Sequence, residues 1–366
     1  MVEQGIISPR QAMELMVTTI LATVILFVPN FTAREALQDA WISVVIATLA
    51  GIMLAFLVTT LGMRFPDQTM IQYSQDLLGK FLGKGIGLLY IWFYLHINAI
   101  TIREFGEFMK IAFMPDTPLI VFTVTIVLLA AFAVRSGLEV IARMNEWLLL
   151  LFLSSFAIIS FLALGEIDLN NFKPVAEHNL LPLLQGAFAP TSWMGEIVAI
   201  TMVIPYINQP GKSRRYGVGA VILVGLLLLL SIFTSIGALG APSTANFQFP
   251  VLEVVRLISI AEFIERIDAL VMVTWVAGVF IKISVFFYVA VLAISQWIQI
   301  QDYKPVTFPV GVILTAFSLL IFENTVELAD FLSQTFPSYA LYLFEGGIPL
   351  FLFIAALITG KRGEKS

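Results

Sequence analysis

The chain has 366 residues, 59% of them hydrophobic and 12% charged, with a mean hydropathy of +0.94. A soluble protein carries about a quarter charged residues, so this composition belongs in a bilayer, and the length allows about nine to twelve crossing helices of about 20 apolar residues each. There is no cysteine and only two histidines, His96 and His178, which excludes disulfides, thiolate metal sites and a histidine-rich centre, while a net charge of -5 argues against nucleic acid. No cofactor and no metal are expected.

The polar start carries Ser8-Pro9, a helix-initiating pair, and the apolar stretch after it lacks a small-residue cleavage pattern, so a retained first span is expected. Apolar runs follow at about 10–30, 39–62, 84–113, 118–134, 138–164, 183–207, 217–240, 267–298, 306–323 and 337–359. They predict ten spans. With the N-terminus inside, Arg10, Arg64, Lys80, Lys84, Arg135, Arg143, Lys212, Arg214, Arg215, Lys304, Lys361, Arg362 and Lys365 fall on the inner side. Only Arg34, Lys110, Lys173, Arg256 and Arg266 fall outside, an asymmetry that predicts cytoplasmic termini and supports the span count. The segment after the second span, RFPDQTMIQYSQDLLGKFLGK, and the connection from Pro242 to Arg266 alternate at helical spacing and read as interfacial helices.

Ten spans divide into two groups of five, and an odd number per group inverts the second copy in the membrane, as in many transporters. The whole chain, 1–366, is expected to be one membrane domain, with repeat 1 at about 8–165, repeat 2 at about 180–360 and a short cytoplasmic tail at 361–366. In such folds the corresponding helices, here spans 1 and 6, are interrupted near the midplane, where freed backbone groups meet a polar ligand. Span 6 carries Ala189-Pro190-Thr191-Ser192 and then Gly195-Glu196, and a mid-helix proline removes a hydrogen bond and predicts the break. Span 1 carries Thr18, Thr19 and Thr23 with Pro29 closing it, a weaker signal because threonines bond back to their own helix.

An ionisable side chain within a span costs a few kcal/mol unless it faces a partner or cavity. Lys282 lies mid-span, roughly 20 Å from the outer end at 1.5 Å per residue. It reads either as an internal cation standing in place of a coupling ion against carbonyls of span 1, or as the partner of a buried carboxylate such as Glu14 or Glu345. Glu196, in the first turn after the expected break, suits a ligand amine, a proton or the cap of its own helix. Thr191 and Ser192 are hydroxyl donors to an anionic group or ordinary interhelical bonds. In span 3, His96, Arg103, Glu107 and Lys110 form one polar row, read as interhelical salt bridges or an outer gate at Arg103. Tyr90, Tyr94 and Asn98 form another, with Tyr94 either a cavity lid or a packed aromatic. Glu345-Gly346-Gly347-Ile348-Pro349 in span 10 reads as a bend, with Glu345 at an outer gate, or as close packing through glycine.

Several short stretches in order along the chain carry a resemblance. They are Ile7-Ser8-Pro9-Arg10-Gln11, Gln38-Asp39-Ala40-Trp41-Ile42, Arg64-Phe65-Pro66, Leu78-Gly79-Lys80, Arg103-Glu104-Phe105, Pro115-Asp116-Thr117-Pro118 and Gly137-Leu138-Glu139. Together they resemble the B subunit of bacterial spore germinant receptors, the GerAB-like family, which is similar in turn to the amino acid–polyamine–organocation transporters. The resemblance implies an all-α, LeuT-like five-plus-five inverted repeat with broken helices 1 and 6 and a pocket between spans 1, 3, 6, 8 and 10. It also implies a nutrient-sensing role in spore germination, placed in the bacterial cell membrane or spore inner membrane among membrane lipid, beside A and C subunits. Related amino-acid transporters carry Gly-x-Gly ahead of the span-1 proline; here Ala22-Thr23-Val24 stands there, so side chains fill space that glycine leaves open. Thr23 then offers a hydroxyl in exchange for bare backbone. A proton-coupled amino acid transporter and a ligand-free scaffold are the other readings; no motif aligns a nucleophile, base and oxyanion site, so an enzyme is not expected.

Overall fold

In the computed structural model the residues described are 3, 5–258 and 267–363, with the backbone alone for 267–270. Fifteen helices follow in chain order among them. The first five are α1 (Pro9–Ala36), α2 (Ala40–Arg64), α3 (Met70–Ala112), α4 (Leu119–Ser136) and α5 (Leu138–Leu162). α6 (Leu180–Gly195), α7 (Ile200–Val203), α8 (Ser213–Leu239), α9 (Ala241–Asn246) and α10 (Pro250–Leu257) come next. The last are α11 (Ile267–Ile298), α12 (Lys304–Leu320), α13 (Thr325–Asp330), α14 (Phe336–Tyr339) and α15 (Gly347–Thr359). Among the described residues eight stretches are long and apolar enough to cross a membrane; the first, Pro9–Arg64, is two spans joined by a turn at Leu37–Asp39. With the shorter apolar helix Lys304–Leu320 they make up the ten expected spans.

α1 is the axis of the bundle. Its residues from Leu15 to Ala33 are all buried, and it packs against α6, α8, α11 and α5. Such all-round burial explains why its sequence has no polar face, its buried threonines and Asn30 being scattered among apolar residues. Ser8 begins it with a capping box, its hydroxyl accepting from Gln11 N–H at 3.1 Å while Gln11 returns a bond to Ser8 N–H.

The expected break in span 1 is absent: α1 runs as one helix through Ala22, Thr23 and Val24, and Pro29 lies inside it. The physical reason is local. Thr18 and Thr19 donate to the carbonyls of Glu14 and Leu15 one turn back, so their hydroxyls are satisfied within the helix and leave no backbone group open to a ligand. Span 6 changes character, but later than Pro190. α6 continues through the proline and tightens into a 3-10 turn at Glu196–Ala199, followed by α7 and a second 3-10 turn at Ile204–Tyr206. Span 10 is irregular in the opposite sense, with wide π-turns at Phe331–Thr335 and Ala340–Glu345 flanking α14.

The segment after α2 forms an arm, Met70–Leu78, folded back on the rest of α3 at Gly79, whose φ of +80 only glycine takes without strain. Gly83 permits the fold, because a Cβ there would lie 2.3 Å from Gln75 Cα. The stretch from Pro242 to Arg266 forms α9 and α10 as far as Leu257; its remainder, including Arg266, and Lys365 lie outside the described residues. The first and last described stretches are tied into the bundle. Ile7 N–H donates to the Tyr206 carbonyl at 2.9 Å, tying the approach to α1 to the end of span 6, and Gly363 N–H donates to the Arg64 carbonyl at 3.0 Å.

Candidate ligand site

Lys282 stands at the middle of α11, fully buried, and its ammonium donates to Thr23 Oγ1 and to Glu196 Oε1, each at 2.8 Å. Three elements meet there: the midpoint of α1, the 3-10 turn after α6, and α11. Neither predicted carboxylate is the hydrogen-bonded partner, and no helix carbonyl is needed. Glu14 pairs with Arg10 at 2.7 Å, while the unbroken α1 leaves its carbonyls in the helix and presents the Thr23 side chain instead. Phe286, one turn on, lies under the ammonium at 5.9 Å from its ring centre.

Two more carboxylates surround the pair. Glu345 is fully buried at the end of a π-turn, and both its oxygens lack a hydrogen-bond partner among the described residues. Its carboxylate rests against Gly195, so closely that a Cβ on that glycine would lie 2.1 Å from Glu345 Oε2. This is a place in the core beside Glu196, not at an outer surface where a gate was expected. Glu104, on α3, is buried within electrostatic reach of Lys282 and Glu196. One oxygen of Glu104 and the second oxygen of Glu196 are also without partners among the described residues. One buried ammonium thus has three buried carboxyl groups about it, of which Glu196 is the one hydrogen-bonded to it.

Of the other candidates, Ala22 faces α11 at Gly278, where a Cβ would meet the Ala22 methyl at 3.6 Å, and Val24 is buried in the same helix. Thr191 and Ser192 turn back on their own helix, donating to the carbonyls of Ala187 at 2.7 Å and Ala189 at 2.9 Å. Tyr94 is fully buried, its hydroxyl beside Thr201 and its ring 6.5 Å from Phe286. Arg103 bonds to Glu107 at 2.8 Å and reaches the Ser318 and Leu319 carbonyls at 3.4 and 3.1 Å, fastening α3 to the end of α12.

Aromatic layers close the site above and below. Away from the termini, Trp193 stacks with Phe27 and Phe31 at 6.4 and 5.9 Å, and Phe27 meets Phe249 at 5.4 Å. Phe108 completes the layer against Phe249 at 5.0 Å and Trp275 at 4.0 Å. Toward the termini lie Tyr94 and Phe286, with Tyr73 and Tyr90 beyond. Sequence reasoning missed Glu104 and Trp275 as site residues. An acidic residue within a span is itself a signal, but Glu104 enters the sequence reading only in the stretch Arg103-Glu104-Phe105 and stands outside the polar row of Arg103 and Glu107.

A helical membrane bundle with ionisable groups buried among its central helices has a transporter-like fold. The structure of MhsT in complex with L-phenylalanine superposes with a TM-score of 0.64 at 14% identity, covering 96% of this chain and 100% of that one. A Na+-coupled sialic acid symporter in a substrate-bound outward-open state superposes at 0.60 and 13% identity, covering 97% of this chain and 77% of that one. The fold is therefore LeuT-like. A family model described as spore germination protein matches residues 6–326, and the chain belongs to that family. It is similar to spore germination protein KB of Bacillus subtilis, 30% identical over 368 residues that cover 100% of this chain and 98% of the relative. Spore germination protein YndE of the same organism is 25% identical over 362 residues, 98% of each chain.

Proposed function

We propose that this chain is the ligand-sensing membrane subunit of a spore germinant receptor, and that its ligand is an amino acid or a similar small nutrient. The observation that carries the reading is the fully buried triad of Thr23, Glu196 and Lys282. An amino acid presents an ammonium and a carboxylate, and this site holds both complements at mid-membrane. A ligand carboxylate competes with Glu196 for Lys282, and a ligand ammonium competes with Lys282 for Glu196. Binding therefore replaces an internal contact with an external one, and a ligand that prefers one packing of the helices shifts the population toward it. The same reading gives the chain a structural and signalling role and no catalytic one. It places A and C subunits beside its lipid-facing helices, both termini in the cytoplasm, and the chain in the spore inner membrane.

The test is amino-acid-triggered germination of spores whose chain carries Glu196→Gln. A loss of response at unchanged protein level supports the reading, and a wild-type response rejects it. A second reading, a proton-coupled amino acid transporter, is favoured by the likeness to MhsT and by an ion pair placed between aromatic layers. Saturable uptake into proteoliposomes driven by a proton gradient would support it over a pure sensor.

A further inference from the structure

An unpartnered acidic side chain in the site points to a finer specificity, which rests on the amino acid reading above. Lys282 is buried with three carboxyl groups about it, those of Glu104, Glu196 and Glu345. Glu196 is held by Lys282, but Glu345 has neither oxygen partnered among the described residues, and Glu104 has one oxygen unpartnered. A buried carboxylate left in that state is costly, and the fold goes to some length to keep this one. Gly195 leaves the space its carboxylate occupies. The π-turn Ala340–Glu345 widens the helix at that point, and wide turns of this kind recur at functional sites. Pro349 has no N–H to return to the turn, and the Tyr90 hydroxyl bonds the Phe344 carbonyl at 2.5 Å, holding the irregular backbone in place.

We infer that Glu345 receives a second ammonium, so that the preferred ligands are amino acids with a cationic side chain rather than neutral ones. The ligand's carboxylate meets Lys282, its α-ammonium meets Glu196, and its side-chain ammonium meets Glu345.

The test is equilibrium binding to the full chain in lipid nanodiscs with three probes. These are lysine, 2-aminoheptanoic acid, in which a methyl replaces the terminal ammonium, and 1,5-diaminopentane, which lacks the carboxylate. Lysine is expected to bind at least about tenfold more tightly than its methyl isostere, a difference that needs no variant to fold. In Glu345→Gln the ratio is expected to fall to about threefold or less, while Glu345→Asp keeps most of it. Equal affinity of lysine and the isostere in the wild-type chain overturns the inference and leaves the amino acid reading standing. A ratio that persists in Glu345→Gln overturns the assignment of this carboxylate. Binding of 1,5-diaminopentane without either amino acid supports the cationic subsite and removes the amino acid reading. Binding of none of the three overturns both.

Discussion

The ammonium of Lys282 lies 2.8 Å from Glu196 and 2.8 Å from Thr23, so a single buried side chain ties three helical segments together at mid-membrane. Breaking one partner of such a buried pair leaves an uncompensated charge and typically costs about 3–5 kcal/mol, whereas replacing both with apolar or neutral groups is often neutral. Lys282→Met and Glu196→Gln are each expected to lower thermal stability markedly. The double variant is expected to recover most of it while remaining unresponsive to ligand. Thermal unfolding of the four chains in detergent checks this, and additive losses would show that the two residues act separately.

Gly195→Ala should be more damaging than an ordinary glycine-to-alanine change in a helix, because its Cβ falls 2.1 Å from Glu345 Oε2. Overpacking of this kind costs about 1–3 kcal/mol. Shortening the opposing side chain in Gly195→Ala/Glu345→Ala should restore stability, measured by unfolding temperature, without restoring ligand response.

These two predictions also mark how far the sequence could be read. Lys282 and Glu196 were legible because the bilayer makes any charge at that depth conspicuous, and the ten spans were legible because apolar length and the distribution of Lys and Arg constrain one another. Their pairing was not legible, since it depends on how α11 rotates against α1. Pro190 was read as the break, yet α6 passes through it and tightens only at Glu196, because a proline weakens a helix without deciding where neighbouring packing lets it change. Glu345 reads in the sequence either as a buried carboxylate near Lys282 or, from the Gly-Gly-Ile-Pro bend after it, as part of an outer gate; the π-turn, which has no marker in sequence, puts it in the core.

Asp39 clasps the loop before α6. Its carboxylate accepts N–H bonds from Ala176, Glu177 and His178 at 2.7, 3.0 and 3.2 Å, and the His178 ring lies 2.9 Å away. Asp39→Ala strands three backbone donors, whereas His178→Ala removes only one side-chain partner. The first should cost about 1–3 kcal/mol and expose the 163–179 connection to protease, and the second should cost less. Limited proteolysis with mass spectrometry would show the order.

Arg103 fastens α3 to Glu107 and to two carbonyls at the end of α12, and it is buried. Lysine keeps the charge but cannot fork to both sets of acceptors. Arg103→Lys should therefore be destabilising by about 1–3 kcal/mol, read as a lowered unfolding temperature, and Arg103→Ala by more.

The absence of cysteine permits a clean test of orientation, since any introduced thiol is the sole one in the chain. Ser213→Cys is unsuitable because Ser213 is buried, but Lys361 and Asn170 are exposed, and the proposed topology puts Lys361→Cys and Asn170→Cys on opposite sides of the membrane. A membrane-impermeant maleimide applied to intact cells should label Asn170→Cys and spare Lys361→Cys until the membrane is opened. The reverse pattern would invert the proposed topology.

The most direct measurement is saturable amino acid binding to the purified chain in nanodiscs, compared with Thr23→Val. That change keeps the shape of the side chain and removes the oxygen to which Lys282 donates. Wild-type binding that saturates, weakened at least about tenfold in Thr23→Val with the folded state retained, is the expected result. Absence of saturable binding in the wild-type chain, or equal affinity in Thr23→Val, would contradict a ligand site at Thr23, Glu196 and Lys282.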